Sequence, residues 1–170
     1  MTTKFTTTPF GVSKTPNAPS SLTPLRDFAD AVALLAASIE ADALVDGGHG
    51  DPAIAHCETD AAHKRALCET VVERIVTSDD TPLELALAAE RILAVLVDQG
   101  AAPQSLAAHP VALVRMARPL ARSPHRVKRI TAALLDKAAR LLSVIVTDAM
   151  ADAEAAKADP SLSIHEIITL

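Results

Sequence analysis

Tryptophan and tyrosine are both missing from this chain, and phenylalanine occurs only at Phe5, Phe10 and Phe28. A core without large rings has to be filled by aliphatic side chains, and here 49% of the residues are apolar, chiefly Ala, Leu, Val and Ile. Sheets draw on aromatic and β-branched residues, whereas Ala and Leu head the helix scale, so this shortage argues for an all-α protein. Glycine is scarce as well: of five, three fall in the stretch Asp46-Gly47-Gly48-His49-Gly50, which reads as a linker. Two cysteines in 170 residues exclude a disulfide scaffold and fit a cytoplasmic compartment. No apolar run approaches the roughly 18 residues of a membrane-spanning helix, so no membrane is expected as a partner.

Motifs of catalysis are missing in the same way. There is no phosphate-cradling Gly loop, no Cys-x-x-Cys, no His-Glu-x-x-His and no Gly-x-Ser-x-Gly. No cofactor and no small-molecule substrate is therefore expected. The N-terminal stretch MTTKFTTTPFGVSKTPNAPSSLTP has no apolar h-region, which excludes a secretory signal, and it lacks the arginines of an organelle-targeting segment until Arg26. Its Thr, Ser and Pro content is that of a flexible arm over residues 1–22.

What is present is a series of prolines that punctuate the chain. Six follow directly on a residue that can open a helix: Thr23-Pro24, Asp51-Pro52, Thr81-Pro82, His109-Pro110, Ser123-Pro124 and Asp159-Pro160. Oxygen-bearing side chains accept an orphan amide at a helix start, and proline one residue on needs no amide partner. Glu84 completes a capping box with Thr81. The resulting helices run from about Pro24 to Leu44, Pro52 to Val76, Pro82 to Gln99, Pro110 to Arg118 (ended by Pro119) and Pro124 to Lys157. The third is apolar nearly all round and should be the central one. The last should span about 50 Å, with a polar end that projects. The expected fold is an antiparallel bundle of four to five helices over residues 23–158, with a long C-terminal helix, the flexible N-terminal arm, and an apolar tail over residues 159–170.

The cysteines open two copies of Cys-Glu-Thr eleven residues apart, at Cys57 and Cys68. Eleven residues are three helical turns, so both lie on one face yet about 16 Å apart, too far to bridge. With Ile54, Ala61, Val72 and Ile75 they form an apolar stripe, and small core residues is the expected role. His56, Asp60 and His63 share another face at i, i+4 and i+7, a spacing suited to a metal. A di-metal bundle needs a Glu on each of two helices and Glu-x-x-His on two more, whereas this chain has one Asp60-x-x-His63. A solvated face is the expected reading, and a metal-binding helical-bundle enzyme comes third among the functions.

Two features rise above this background. Residues 115–140 hold eight basic side chains against Asp136 alone, a charge of +7 in a chain of net charge −5, so the rest carries −12. Arg115, Arg118, Arg122, Arg126, Lys128 and Arg129 are the candidate anion- or partner-binding residues. The bland alternative is that acidic residues of the second and third helices, or of a neighbouring chain, neutralise the patch. The segment has no aromatic residue to stack on bases, which leaves phosphate-backbone contact if the partner is nucleic acid. The tail is the second feature: Leu162, Ile164, Ile167, Ile168 and Leu170 suit docking, on this bundle or on a partner. Together these point to a non-enzymatic helical interaction protein, a structural or adaptor subunit of a homo-oligomer or larger assembly. The alternative is a polyanion-binding regulator that meets nucleic acid or an acidic protein through 115–140.

Overall fold

The computed structural model describes residues 22–46, 52–98 and 101–158. They form an all-α bundle of five helices and one isolated helical turn. These are α1 (Thr23–Asp46), α2 (Pro52–Thr77), α3 (Leu83–Val97), the turn α4 (Pro103–Leu106), α5 (Ala108–Ala121) and the long C-terminal α6 (Arg126–Ala158). Residues 1–21 of the arm, the glycines of the Asp46–Gly50 linker, the Asp51 cap and the 159–170 tail lie outside the described residues.

Proline marks most helix starts, with local corrections. Pro24, Pro52 and Pro103 sit in first turns, where a missing amide costs nothing. The Thr81 capping box does not form. Pro82 is itself the N-cap, extended at φ −55° and ψ 137°, and no side chain caps α3. The Pro82 carbonyl accepts the amides of Leu85 at 2.9 Å and Ala86 at 3.0 Å. The helix thus begins one residue later than the motif requires, and the Thr81 hydroxyl is buried without a partner. α5 begins at Ala108, so Pro110 occupies its third position, still within the first turn. It also runs through Pro119 to Ala121 rather than stopping before it. So close to the C-terminus proline breaks little of the hydrogen-bond ladder, and buried Leu120 holds the last turn against the core. α6 starts at Arg126 because the Ser123 hydroxyl accepts the His125 amide at 3.3 Å, and regular turns begin with the Arg129 amide on the His125 carbonyl at 3.2 Å.

Side-chain pairs between α1 and α2 fix their direction. Arg74 meets Asp27 at 3.2 Å, Arg65 pairs with Asp42, and the Cys68 thiol donates to the Ala31 carbonyl at 3.3 Å. Early α1 residues meet late α2 residues, so the two are antiparallel. α5 and α6, joined by four residues, make the second close hairpin. α3 touches α1, α2, α5 and α6, the central place its apolar composition anticipates. Phe28, Leu35, Ile75, Ile92, Leu113, Leu135 and Leu142 draw the core from all five helices. Ala31, Ala88 and Ala138 are also fully buried, which lets the helix axes approach closely. Ser38, the one serine or threonine with no exposure at all among the described residues, donates to the Leu35 carbonyl at 2.8 Å.

α6 has 33 residues, about 50 Å, and contains neither Gly nor Pro. Its last buried residue is Val146, and beyond it only Ala149 and Ala153 are even half-buried. Residues 154–157 are all exposed, so the C-terminal end of α6 overhangs the body. Among the described residues no helix is long and apolar enough to cross a membrane.

Candidate interaction surface

The cysteine stripe faces inward. Ala61, Cys68, Val72 and Ile75 are buried, while Ile54 and Cys57 lie half-buried toward the start of α2. Both cysteines are free thiols. Burial, with a smaller contribution from Glu69, pushes the Cys68 thiol up to about 12. His56, Asp60 and His63 are all exposed, and Asp60 is held by Lys64 one turn away. Among the described residues no three His, Cys, Asp or Glu side chains converge as metal ligands would.

The basic residues are gathered by the α5–α6 hairpin. Arg115 and Arg118 lie on α5, Arg122 follows its end, and Arg126, Lys128 and Arg129 occupy the first turns of α6. All six are exposed. Four ion pairs join described residues, Lys64–Asp60, Arg65–Asp42, Arg74–Asp27 and Arg140–Asp136, and none involves these six. Neutralisation by acids of α2 and α3 is therefore not the arrangement found. α2 spends Asp60 on its own Lys64, and its Arg65 and Arg74 take up Asp42 and Asp27 of α1. Arg129 turns back on its own loop, donating to the carbonyls of Pro124 at 3.1 Å and Ser123 at 3.5 Å. It is thus a clasp of the turn as well as a cation.

Sequence reasoning missed the apolar surface beside these cations. On α3, Leu83 is 69% exposed and Leu87 is 37% exposed, one turn apart. Across from Leu87, α5 presents Val111, 50% exposed, with Ala112 and Met116. Arg91 and Arg115 border this groove of about 410 Å³. Val111 and Arg115 also edge a second groove of about 580 Å³ between α5 and α6, floored by Val114, Val146 and Met150 and bordered by Arg118 and Arg140. One face of α5 thus presents an aliphatic strip set between arginines. His109, at the start of α5, has a buried Nδ1 without a partner, and desolvation first, then the Arg91 charge, lowers its pKa against the opposing pull of Asp98.

The sequence matches no protein-family model, and searches of curated proteins and of solved structures found no match to it. Its surface has to be interpreted from its own chemistry. The docking residues Leu162, Ile164, Ile167, Ile168 and Leu170 lie outside the described residues.

Proposed function

We propose that this chain is a non-enzymatic helical interaction protein, a structural or adaptor subunit of a homo-oligomer or larger assembly, that engages its partner through the outer face of α5. The observation that carries the reading is the exposed aliphatic strip of Leu87, Val111, Ala112 and Met116 set between Arg91 and Arg115. Protein interfaces have this anatomy: an apolar centre enriched in Met and Arg, within a polar rim. Exposed leucines cost nothing singly, but a contiguous strip is favourable only once covered. Size-exclusion chromatography with light scattering tests it. The expected result is a mass that is a multiple of 17.7 kDa for the native chain, falling to a single chain in the double variant Leu87→Glu, Val111→Glu with the helical circular dichroism unchanged. A native chain that stays single at high concentration, with both terminal segments dispensable, would sink the reading.

A second reading, binding of a polyanion at the α5–α6 turn, is favoured by one specific observation: six exposed cations without a carboxylate partner in the described chain. It concerns backbone charge alone, since Phe28, the one aromatic side chain described, is buried and offers no base a stacking surface. Charge reversal at Arg122, Arg126 and Lys128 is expected to weaken binding of mixed-sequence duplex DNA by about tenfold or more at low salt. Fluorescence anisotropy with labelled duplex measures it. Equal affinity before and after reversal would remove this reading and leave the protein interface standing.

A further inference from the structure

We propose that the groove between α5 and α6 is the docking site of this chain's own segment 159–170, bound within the same copy. The proposal differs from the assembly reading in that it concerns the α6 side of α5 rather than the α3 side, although Val111 and Arg115 edge both grooves.

Two grooves flank α6, and charge decides between them. One, of about 760 Å³, opens toward α1, α3 and α4 and is bordered by Asp42, Asp148 and Asp152, with Arg65 already paired to Asp42. The other, of about 580 Å³, is bordered by Arg115, Arg118 and Arg140, and no carboxylate lines it. Arg140 is partly engaged by Asp136 at 2.8 Å, while Arg115 and Arg118 have no ion-pair partner among the described residues. The segment DPSLSIHEIITL contributes five large aliphatic side chains, the acids Asp159 and Glu166, and no Lys or Arg. Its aliphatic residues suit either floor. Its acids are repelled by the first border and attracted by the second. A single exposed ion pair contributes little, but its sign separates two grooves that both offer aliphatic side chains.

Length agrees with charge. From Ala158 back to Arg140 along α6 is 18 residues, about 27 Å at helical rise. The eight residues from Asp159 to Glu166 span about 26–29 Å when extended. A tail that reverses at Asp159-Pro160, a dipeptide suited to leaving a helix, and returns along α6 brings Glu166 within reach of the long arginine side chains. It lays Ile164 over Val146 and Val114, with Ile167 and Ile168 following beyond Arg140. The C-terminal overhang of α6 supplies the room for the reversal.

The test uses the full chain with a reporter thiol at Ser143, which lines this groove and not the α3–α5 one. Labelling of Ser143→Cys by iodoacetamide is followed residue by residue with mass spectrometry, with half-buried Cys57 as internal reference. Labelling is expected to be at least fivefold slower with the native tail than with Ile164→Asp, Ile167→Asp, Ile168→Asp, and independent of protein concentration. Glu166→Arg, which keeps every aliphatic side chain, is expected to speed it twofold or more. If Ser143→Cys perturbs folding by circular dichroism, Met150→Cys on the same groove replaces it. Equal rates with native and altered tails overturn the proposal, and so does protection that grows with concentration, which places the tail of a second copy there instead. Loss of the oligomer in Leu87→Glu alone, at a residue that lines the α3–α5 groove and not this one, leaves this outcome unaffected, so the two readings fail separately.

Discussion

Phe28→Ala is expected to lose about 3–5 kcal/mol of folding stability, the range for removing a fully buried ring. Phe28 is the one aromatic residue among the described residues and has no exposure at all. It anchors the first turns of α1 to a core otherwise built of Leu, Ile, Val and Ala with Cys68. Small side chains cannot swing far enough to refill a ring-sized cavity, so both the transfer energy and the cavity cost are lost. Domains of this kind have about 5–15 kcal/mol in total, so one substitution removes a large share. Urea unfolding followed by circular dichroism at 222 nm measures it, with Leu83→Ala as the control. Leu83 is the most exposed of the large apolar residues among those described, and its loss should stay within about 0.5 kcal/mol. A Phe28→Ala loss below about 1 kcal/mol would mean that the aliphatic core collapses into the gap.

The second large effect concerns the two thiols. Cys68 is fully buried, its Sγ donates to the Ala31 carbonyl, and its pKa stands at about 12. At pH 8 only about one molecule in ten thousand carries the Cys68 thiolate, which is the reactive form. Iodoacetamide should therefore modify Cys57 and leave Cys68 intact until the chain unfolds. Comparable labelling of both in the native protein would contradict the packing of α2 on α1. The same burial has a pH consequence. A thiol raised from 9.0 to about 12 holds its proton in the folded state over a range where the unfolded chain releases it. Its contribution is complete below pH 9 and is lost as pH rises through 12. Stability should decline across that alkaline window more steeply in the native chain than in Cys68→Ala, as urea titrations at stepped pH would reveal.

Much of this architecture was legible because short periodic rules governed it. Prolines that follow Thr23 and Asp51 announce α1 and α2, and the stripe through Ala61, Cys68, Val72 and Ile75 is the buried face of α2. Where the reading failed, a longer-range contact had overruled a local signal. Leu120 packing into the core carries α5 past Pro119, and the extended backbone of Pro82 displaces the Thr81 cap. α4 is a single turn, too short to show any period, although Pro103 at its first position marks its start. The exposed strip was invisible for a different reason. An apolar residue such as Leu87 or Val111 looks identical in sequence whether it is covered or bare, and only the placement of α5 against α3 separates the two. The basic cluster was legible as composition. That the acids of α2 fail to reach it depends on the hairpin geometry, which no spacing rule encodes.

The division into two hairpins bears on how the molecule comes together and comes apart. α1 pairs mainly with α2, and α5 with α6, so the densest contacts join neighbours in sequence. Low sequence separation favours fast formation, and each hairpin can assemble before the other exists. The two pairs meet directly through α1 and α6, and α3 touches members of both, above all α2, its neighbour in sequence. Its inward residues Leu85, Ala88, Ile92 and Val95, together with the α1–α6 contact, form the seam where the halves meet, and that seam is expected to open before either hairpin does. In hydrogen exchange, the α3 amides report that opening of one hairpin from the other, while the amides within each hairpin wait for a deeper event.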